Sequence, residues 1–299
     1  MEGQQIGAVR AVTERSRGDT VEPVLPHGHL LPTLQEYVMS TVVPPHALHG
    51  SGPHKVLALH GWFSDRSSYL PLFPYVDTER FAWAAMDQRG YGEARELPGP
   101  YTTERIARDA LALADHLGWS TFSVIGHSMG GKAAQHVVAL APDRVRALVG
   151  ISPVPASGAG LSDATWDFFA SAADDPAVRR AIISTTTGDR LPGPWLDHMV
   201  RLSLANSTRD ALAGYFPDWA GTDLSPLVRG SAVPALAVAG AHDPALSPDV
   251  MRATWLQHFP RATLTVLPDA GHYAIDEAPL ALLAHIENFL APLTPAMGG

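Results

Sequence analysis

Phe122-Ser123-Val124-Ile125-Gly126-His127-Ser128-Met129-Gly130-Gly131-Lys132-Ala133-Ala134-Gln135-His136-Val137-Val138-Ala139-Leu140-Ala141 is the stretch from which the fold can be read. A short apolar run of strand character enters a Gly-x-Ser-x-Gly turn, and a helical run leaves it until Pro142. A serine at the tip of so sharp a turn has strained backbone geometry. Small residues two before and two after it let strand and helix approach, and Gly126 and Gly130 supply them. The Ser128 hydroxyl is then pushed out of the sheet, above the N-terminus of the following helix. That helix end offers free backbone N–H groups and partial positive charge, which would stabilise an oxygen anion formed on a substrate. The plain alternative is a Gly/Ser turn that merely joins a strand to a helix, and the rest of the chain must decide between them.

Outward from this turn, the same alternation repeats. Val56-Leu57-Ala58-Leu59 and Phe81-Ala82-Trp83-Ala84-Ala85-Met86 are continuously apolar, as suits strands buried on both faces of a parallel sheet. They end in His60-Gly61-Trp62-Phe63 and Asp87-Gln88-Arg89-Gly90-Tyr91-Gly92. A helix is predicted over 103–117, with Thr103 as its cap, Glu104 in its first turn and Gly118 at its end. Val145–Ile151, Val233–Ala239 and Ala262–Leu267 read as further strands, the last two ending in Gly240-Ala241-His242-Asp243 and Asp269-Ala270-Gly271-His272. Helices are predicted over 248–258 and 279–290. Upstream, Tyr37–Val43 reads as a first strand, ended by Pro44 and Pro45. Strand runs vanish over 153–226, where short helical pieces carry Trp166, Phe168, Phe169, Trp195, Tyr215, Phe216 and Trp219.

These patterns predict an α/β fold, a mostly parallel twisted sheet with helices on both faces. The expected organisation is an N-terminal extension (1–34), a core (35–152 and 227–299) and an inserted helical cap (153–226). In such sheets function gathers at the C-terminal strand ends, where His60, Asp87, Ser128, Asp243 and His272 all fall.

Composition narrows the function. The chain has 299 residues, 46% hydrophobic and 17% charged, enough for a sizeable core. A net charge of −9 offers no basic footprint for nucleic acid. With no cysteine, thiolate catalysis and Cys-ligated zinc are excluded. The N-terminus lacks the basic and apolar regions of a secretory signal, and no apolar run spans a membrane, so a cytoplasmic protein is expected. No metal or dinucleotide motif is present, so neither metal nor cofactor is expected. The expected partner is a small-molecule substrate, with no nucleic acid and no membrane, and homo-oligomerisation is left open.

The chain resembles the α/β-hydrolase fold family in four features. These are His-Gly-Trp at 60–62, Asp-x-Arg-Gly-x-Gly at 87–92, the turn at 126–130, and Gly-x-x-Asp at 240–243 followed by Gly-His at 271–272. The order Ser, Asp, His is also the family's. The resemblance implies a catalytic triad of Ser128, Asp243 and His272. A serine hydroxyl needs a base within reach. An imidazole, with an ordinary pKa near ~6.5, can take and return the proton, and a carboxylate orients it. Asp249 and Asp269 are weaker rivals for the acid. The position some members use for it is held here by Ser152-Pro153, which cannot serve. The oxyanion hole implied is the Met129 amide with that of Trp62, or alternatively Phe63. Candidate substrate contacts are Trp62, Phe63, His127, Trp166, Trp195 and Trp219, with core packing as the competing role for each. Asp87 and Arg89 read as braces of their loop, although Glu93 stands where the family usually has a serine. Lys132 reads as a solvated helix charge.

The leading expectation is a serine hydrolase cleaving an ester, thioester or lactone of a small, mainly apolar molecule through an acyl-enzyme. Three alternatives stay open: a carbon–carbon bond hydrolase with the same triad, a cofactor-independent dioxygenase using the His–Asp pair, and a slow-turnover ligand-binding receptor. An aspartate at the turn would have indicated dehalogenase or epoxide-hydrolase chemistry; the chain has Ser128.

Overall fold

A computed structural model describes residues 42–294. Its sheet has seven strands in the order β1-β3-β2-β4-β5-β6-β7. They are β1 (His46–His49), β2 (His54–Leu59), β3 (Phe81–Met86), β4 (Phe122–His127), β5 (Val145–Ile151), β6 (Ala235–Gly240) and β7 (Ala262–Leu267). Only β1 runs antiparallel, pairing His46 with Met86 of β3. The other neighbours are parallel, with β2 and β4 in register from Val56 opposite Ser123 to Leu59 opposite Gly126. That register brings the ends of β2 and β4 level, so His60-Gly61 and the serine turn meet at one edge.

The central strands are apolar because both faces are covered. Leu57, Leu59, Met86 and Val124 pack toward Ile106 and Leu113 of α1 (Thr103–His116) and Met129 and Val137 of α2 (Met129–Leu140). Val56, Trp83 and Ile125 pack on the other side with Leu282, Leu283 and Ile286 of α11 (Pro279–Leu290). Between β5 and β6 the chain forms α3 (Asp163–Ser171), α4 (Pro176–Thr186), α5 (Gly193–Asn206), α6 (Arg209–Gly221) and α7 (Ser225–Val228). The remaining helices are α8 (Pro248–Ala253), α9 (Trp255–His258) and α10 (Ala274–Glu277). No helix among the described residues is long and apolar enough to cross a membrane.

Three expectations are corrected. Residues 1–34 and Tyr37–Thr41 lie outside the described residues, but Val42 and Val43 are not in a strand. Among the described residues the first strand follows the prolines. Proline lacks the ladder's N–H donor, and the Pro45 carbonyl accepts the Asp87 amide at 2.8 Å just before β1 begins. Secondly, α1 is capped by Thr102, whose hydroxyl oxygen accepts the Arg105 amide at 3.1 Å. Thr103 is buried and gives both its amide and its hydroxyl to Asp218 of α6 at 2.7 Å. Thirdly, the expected 248–258 helix breaks at Thr254, whose hydroxyl donates to the Val250 carbonyl at 2.7 Å. The break allows Trp255 to be wholly buried.

Candidate active site

Ser128 lies between β4 and α2 at φ 54°, ψ −117°, a conformation that costs a non-glycine residue about 1–3 kcal/mol. The surroundings enforce it. The Ser128 amide donates to the Ile151 carbonyl at 3.0 Å, and its own carbonyl accepts the Gly131 and Val154 amides at 2.9 and 3.1 Å. A β-carbon at Gly126 would stand 2.1 Å from the Gly130 carbonyl oxygen, so the crossing of strand and helix requires glycine there. The Met129 and Trp62 amides donate to no carbonyl or side chain among the described residues.

His272 follows β7, and its Nδ1–H donates to Asp243 Oδ2 at 2.8 Å. The other Asp243 oxygen accepts the Ala245 and Leu246 amides at 2.9 and 3.0 Å. Burial alone would raise this carboxyl. The charge and hydrogen bond of His272, with the two amides, outweigh burial and hold it below the usual carboxylate range. Asp243 is therefore an anion that engages the His272 ring through Nδ1, so that Nε2 is the ring nitrogen left to face other groups. Asp249 is exposed and paired with Arg252, and Asp269 is exposed, so neither takes the acid's place. Ser152, at the alternative acid position, is fully buried.

His127 is buried beside these groups, and its Nε2–H donates to the His272 carbonyl at 2.9 Å. Burial, and then the charge of His272, push the His127 ring down to about 3, so it stays neutral. His60 is equally committed. Its Nδ1–H donates to the Gly61 carbonyl at 2.9 Å, and its Nε2 accepts the Gln88 amide at 3.2 Å. Asp87 accepts the Arg66 and Glu93 amides at 3.0 and 2.9 Å and the Arg66 guanidinium. Arg89 pairs with Asp109 at 2.7 Å. Both brace the loop after β3. Glu93 supplies its amide and an ion pair to Arg66 at the place of the absent serine.

Ser128 and His272 line one cavity of about 250 Å³. Its core side is Gly61, Trp62, Phe63, Ser64 and His127, and its far side comes from the inserted helices. Trp219 completes a wall with Trp62, the two rings meeting edge to face at 5.3 Å. Trp166 and Trp195 are not among the lining residues. Trp166 packs behind the wall on Phe216 at 4.6 Å, and Trp195 on Tyr273 at 5.5 Å. Phe169, named in the sequence only as one aromatic of the 153–226 segment, lines it, as do Ile182, Thr186, Leu246 and Tyr273, which the sequence did not single out. The apolar spacing of α3 and α4 gave no means of telling which residues face a cavity and which face a core.

Lys132 is the largest departure from expectation. It is fully buried, not solvated. Its ammonium donates to the carbonyls of Trp219 at 3.0 Å and Thr222, with that of Asp218 at 3.5 Å. One turn beyond Ser128, it therefore grips the backbone that carries the Trp219 wall. Burial lowers its pKa to about 8, against the pull of Asp218 and Asp223.

Comparison with known proteins places these features in context. A family profile described as alpha/beta hydrolase fold matches residues 55–279. 3-Oxoadipate enol-lactonase 2 of Acinetobacter baylyi is 27% identical over 208 residues, 67% of this chain and 75% of that protein. Lipase LipV of Mycobacterium tuberculosis is 31% identical over 156 residues, 49% of this chain and 53% of the lipase. Among solved structures, a thermophilic esterase from Thermogutta terrifontis superposes with a TM-score of 0.74 at 23% identity, over 84% of this chain and 94% of the esterase.

Proposed function

The chain belongs to the α/β-hydrolase fold family and is a hydrolase, and on that premise we propose that it cleaves uncharged, small, mainly apolar esters or lactones through Ser128, His272 and Asp243. The observation that carries this reading is the His272–Asp243 hydrogen bond of 2.8 Å at the wall of the cavity that Ser128 also lines. Ser128 Oγ attacks the acyl carbon as its proton passes to His272 Nε2. Asp243 holds the ring and balances the imidazolium. The carbonyl oxygen, now an anion, is met by the Met129 and Trp62 amides. The alcohol leaves with the proton from His272, giving the acyl-enzyme. Water then repeats the sequence, releasing the acid and restoring Ser128.

The cavity supports the substrate class. At about 250 Å³ it lies just below the ~300–1,000 Å³ of sites for drug-sized ligands. Its lining contains no Asp, Glu, Lys or Arg among the described residues. A carboxylate placed there would lose its hydration without a cationic partner and would sit near the Asp243 anion. The inserted helices act as the cap. The dioxygenase alternative draws no support from Trp62, whose indole N–H is committed to the Leu212 carbonyl at 3.1 Å.

The test is intact mass after treatment with a fluorophosphonate, followed by matched p-nitrophenyl esters. One adduct on the wild type, absent in Ser128→Ala, is expected. The butanoate ester should exceed the half-succinate ester in kcat/KM by about tenfold or more. Activity lost in His272→Ala but kept in Ser128→Ala would instead favour the oxygenase reading. A preference for the half-succinate ester would overturn the uncharged class.

A further inference from the structure

The segment carrying His272 is held by an unusual set of partners. The His272 amide donates to the Thr186 carbonyl at the end of α4, 3.0 Å away. The amides on either side of it, Gly271 and Tyr273, both donate to one carboxylate. Glu277 takes them on separate oxygens, at 2.8 and 3.1 Å. The Glu277 side chain is only 2% exposed, and its charge is met by Arg190 Nη1 at 2.9 Å. Arg190 lies in the connection between α4 and α5, and its other nitrogen donates to the Asp269 carbonyl at 3.1 Å. The two segments are in close contact. A β-carbon on Gly271 would stand 2.7 Å from Thr187 Cα.

Capping of α10 accounts for only part of this. A helix cap needs the Tyr273 amide. It does not need a second carboxylate oxygen on Gly271, upstream of the helix, nor a guanidinium from another part of the chain. Amide-to-carboxylate bonds are charge-assisted and about twice as strong as neutral ones. They flank the one side chain whose ring orientation decides proton transfer.

We propose that Glu277 and Arg190 are positioning residues. Glu277 clamps the backbone on both sides of His272, and Arg190 ties that clamp to the inserted helices. Seating of the insertion and placement of the His272 ring are then a single event. The proposal rests on His272 being the catalytic base and goes beyond that reading, by making the insertion a structural part of the catalytic machinery as well as a wall of the cavity.

The experiment compares wild type, Glu277→Gln, Arg190→Met and the double variant. The readouts are fluorophosphonate labelling rate, kcat and KM for p-nitrophenyl butanoate, melting temperature, and the downfield proton resonance of His272 Nδ1–H. In Glu277→Gln the carboxamide turns an N–H₂ toward one of the two amides. Its kcat and labelling rate should fall together by about 10–100-fold, the scale of a sub-ångström to ångström misplacement. KM should stay within about threefold, and the downfield resonance should broaden or move. Arg190→Met should change the same quantities in the same direction by a smaller factor. The double variant should be no worse than Glu277→Gln alone, because the two residues act in one chain of contacts. Wild-type labelling and an unmoved resonance in Glu277→Gln would overturn the clamp. Additive losses would overturn the link between Arg190 and Glu277. If Glu277→Gln does not fold, Arg190→Met, at a partly exposed side chain, decides by the same readouts. A wild type that is neither labelled nor active on any ester would overturn the underlying reading of His272, and the clamp's role with it.

Discussion

The two sides of the cavity are built on different principles. On the core side, Ser128 is placed by its own chain. Glycine at 126, the φ of 54° and the bonds of its amide and carbonyl leave it no other position. On the inserted side, Phe169, Ile182 and Trp219 stand on ordinary helices, and α6, which carries Trp219, is held by side chains reaching across the molecule. Lys132 holds the Trp219 carbonyl 87 residues away, the Trp62 indole holds Leu212 150 residues away, and Tyr215 of α6 donates its hydroxyl to the Arg89 carbonyl 126 residues away. Local sterics place Ser128, and buried donors on backbone carbonyls place the α6 side of the cavity wall. A wall of that kind can be exchanged or shifted without disturbing the turn.

The largest effect should come from the core side. Ser128→Ala should lower kcat by about 10³–10⁶-fold with the fold intact, checked by ester turnover alongside circular dichroism. A loss of tenfold or less would end the distinction, as would an equal loss on truncating Trp219. Next comes the grip between the two sides. Lys132→Met keeps most of the side-chain volume but leaves carbonyls of α6 without their donor, which should cost about 1–3 kcal/mol in urea unfolding. The pH dependence adds a sign. Lys132 titrates at about 8 in the folded chain against 10.5 as its ordinary value. Below 8 both states hold the proton. Between 8 and 10.5 the unfolded chain binds more protons than the folded one, so this group's contribution to stability rises with pH. The gap between wild type and Lys132→Met should therefore widen from pH 8 toward pH 10, and a constant gap would show that Lys132 is not titrating there. The smallest effect should come from the inserted wall alone. Phe169→Ala should raise the ratio of hexanoate to butanoate kcat/KM by about 3–10-fold, with little change in labelling of Ser128. An unchanged ratio would show that Phe169 does not bound the acyl site.

The parts legible in the sequence share one physical property. The strands β2 to β6 and the turns after them are short-range objects. Continuous apolar runs follow from burial on both faces, and the glycines of the serine turn follow from close backbone approach. The placement of Ser128 and Asp243 at strand ends was legible because each follows such a strand in a recognisable turn, and that of His272 because a Gly-His turn follows β7. The strand His46–His49 was not, since half of it is histidine and its edge position asks for little apolar patterning. Lys132 was misread because a lysine in a helix is usually solvated. Its burial depends on carbonyls that arrive from α6, and nothing in residues 129–141 encodes them.

By itself the sequence determined the layered α/β architecture and the three side chains that converge at the strand ends. It also determined the strained turn that presents the serine, because sterics and burial act there over a few residues. Only the tertiary structure decided which aromatics bound the cavity and which pack behind it, that the cavity wall carries no charge, that Lys132 grips the insertion, and that Glu277 and Arg190 bracket His272. Each of those facts is a meeting of groups far apart in the chain, and the energy that selects it exists only once both partners have been removed from water together.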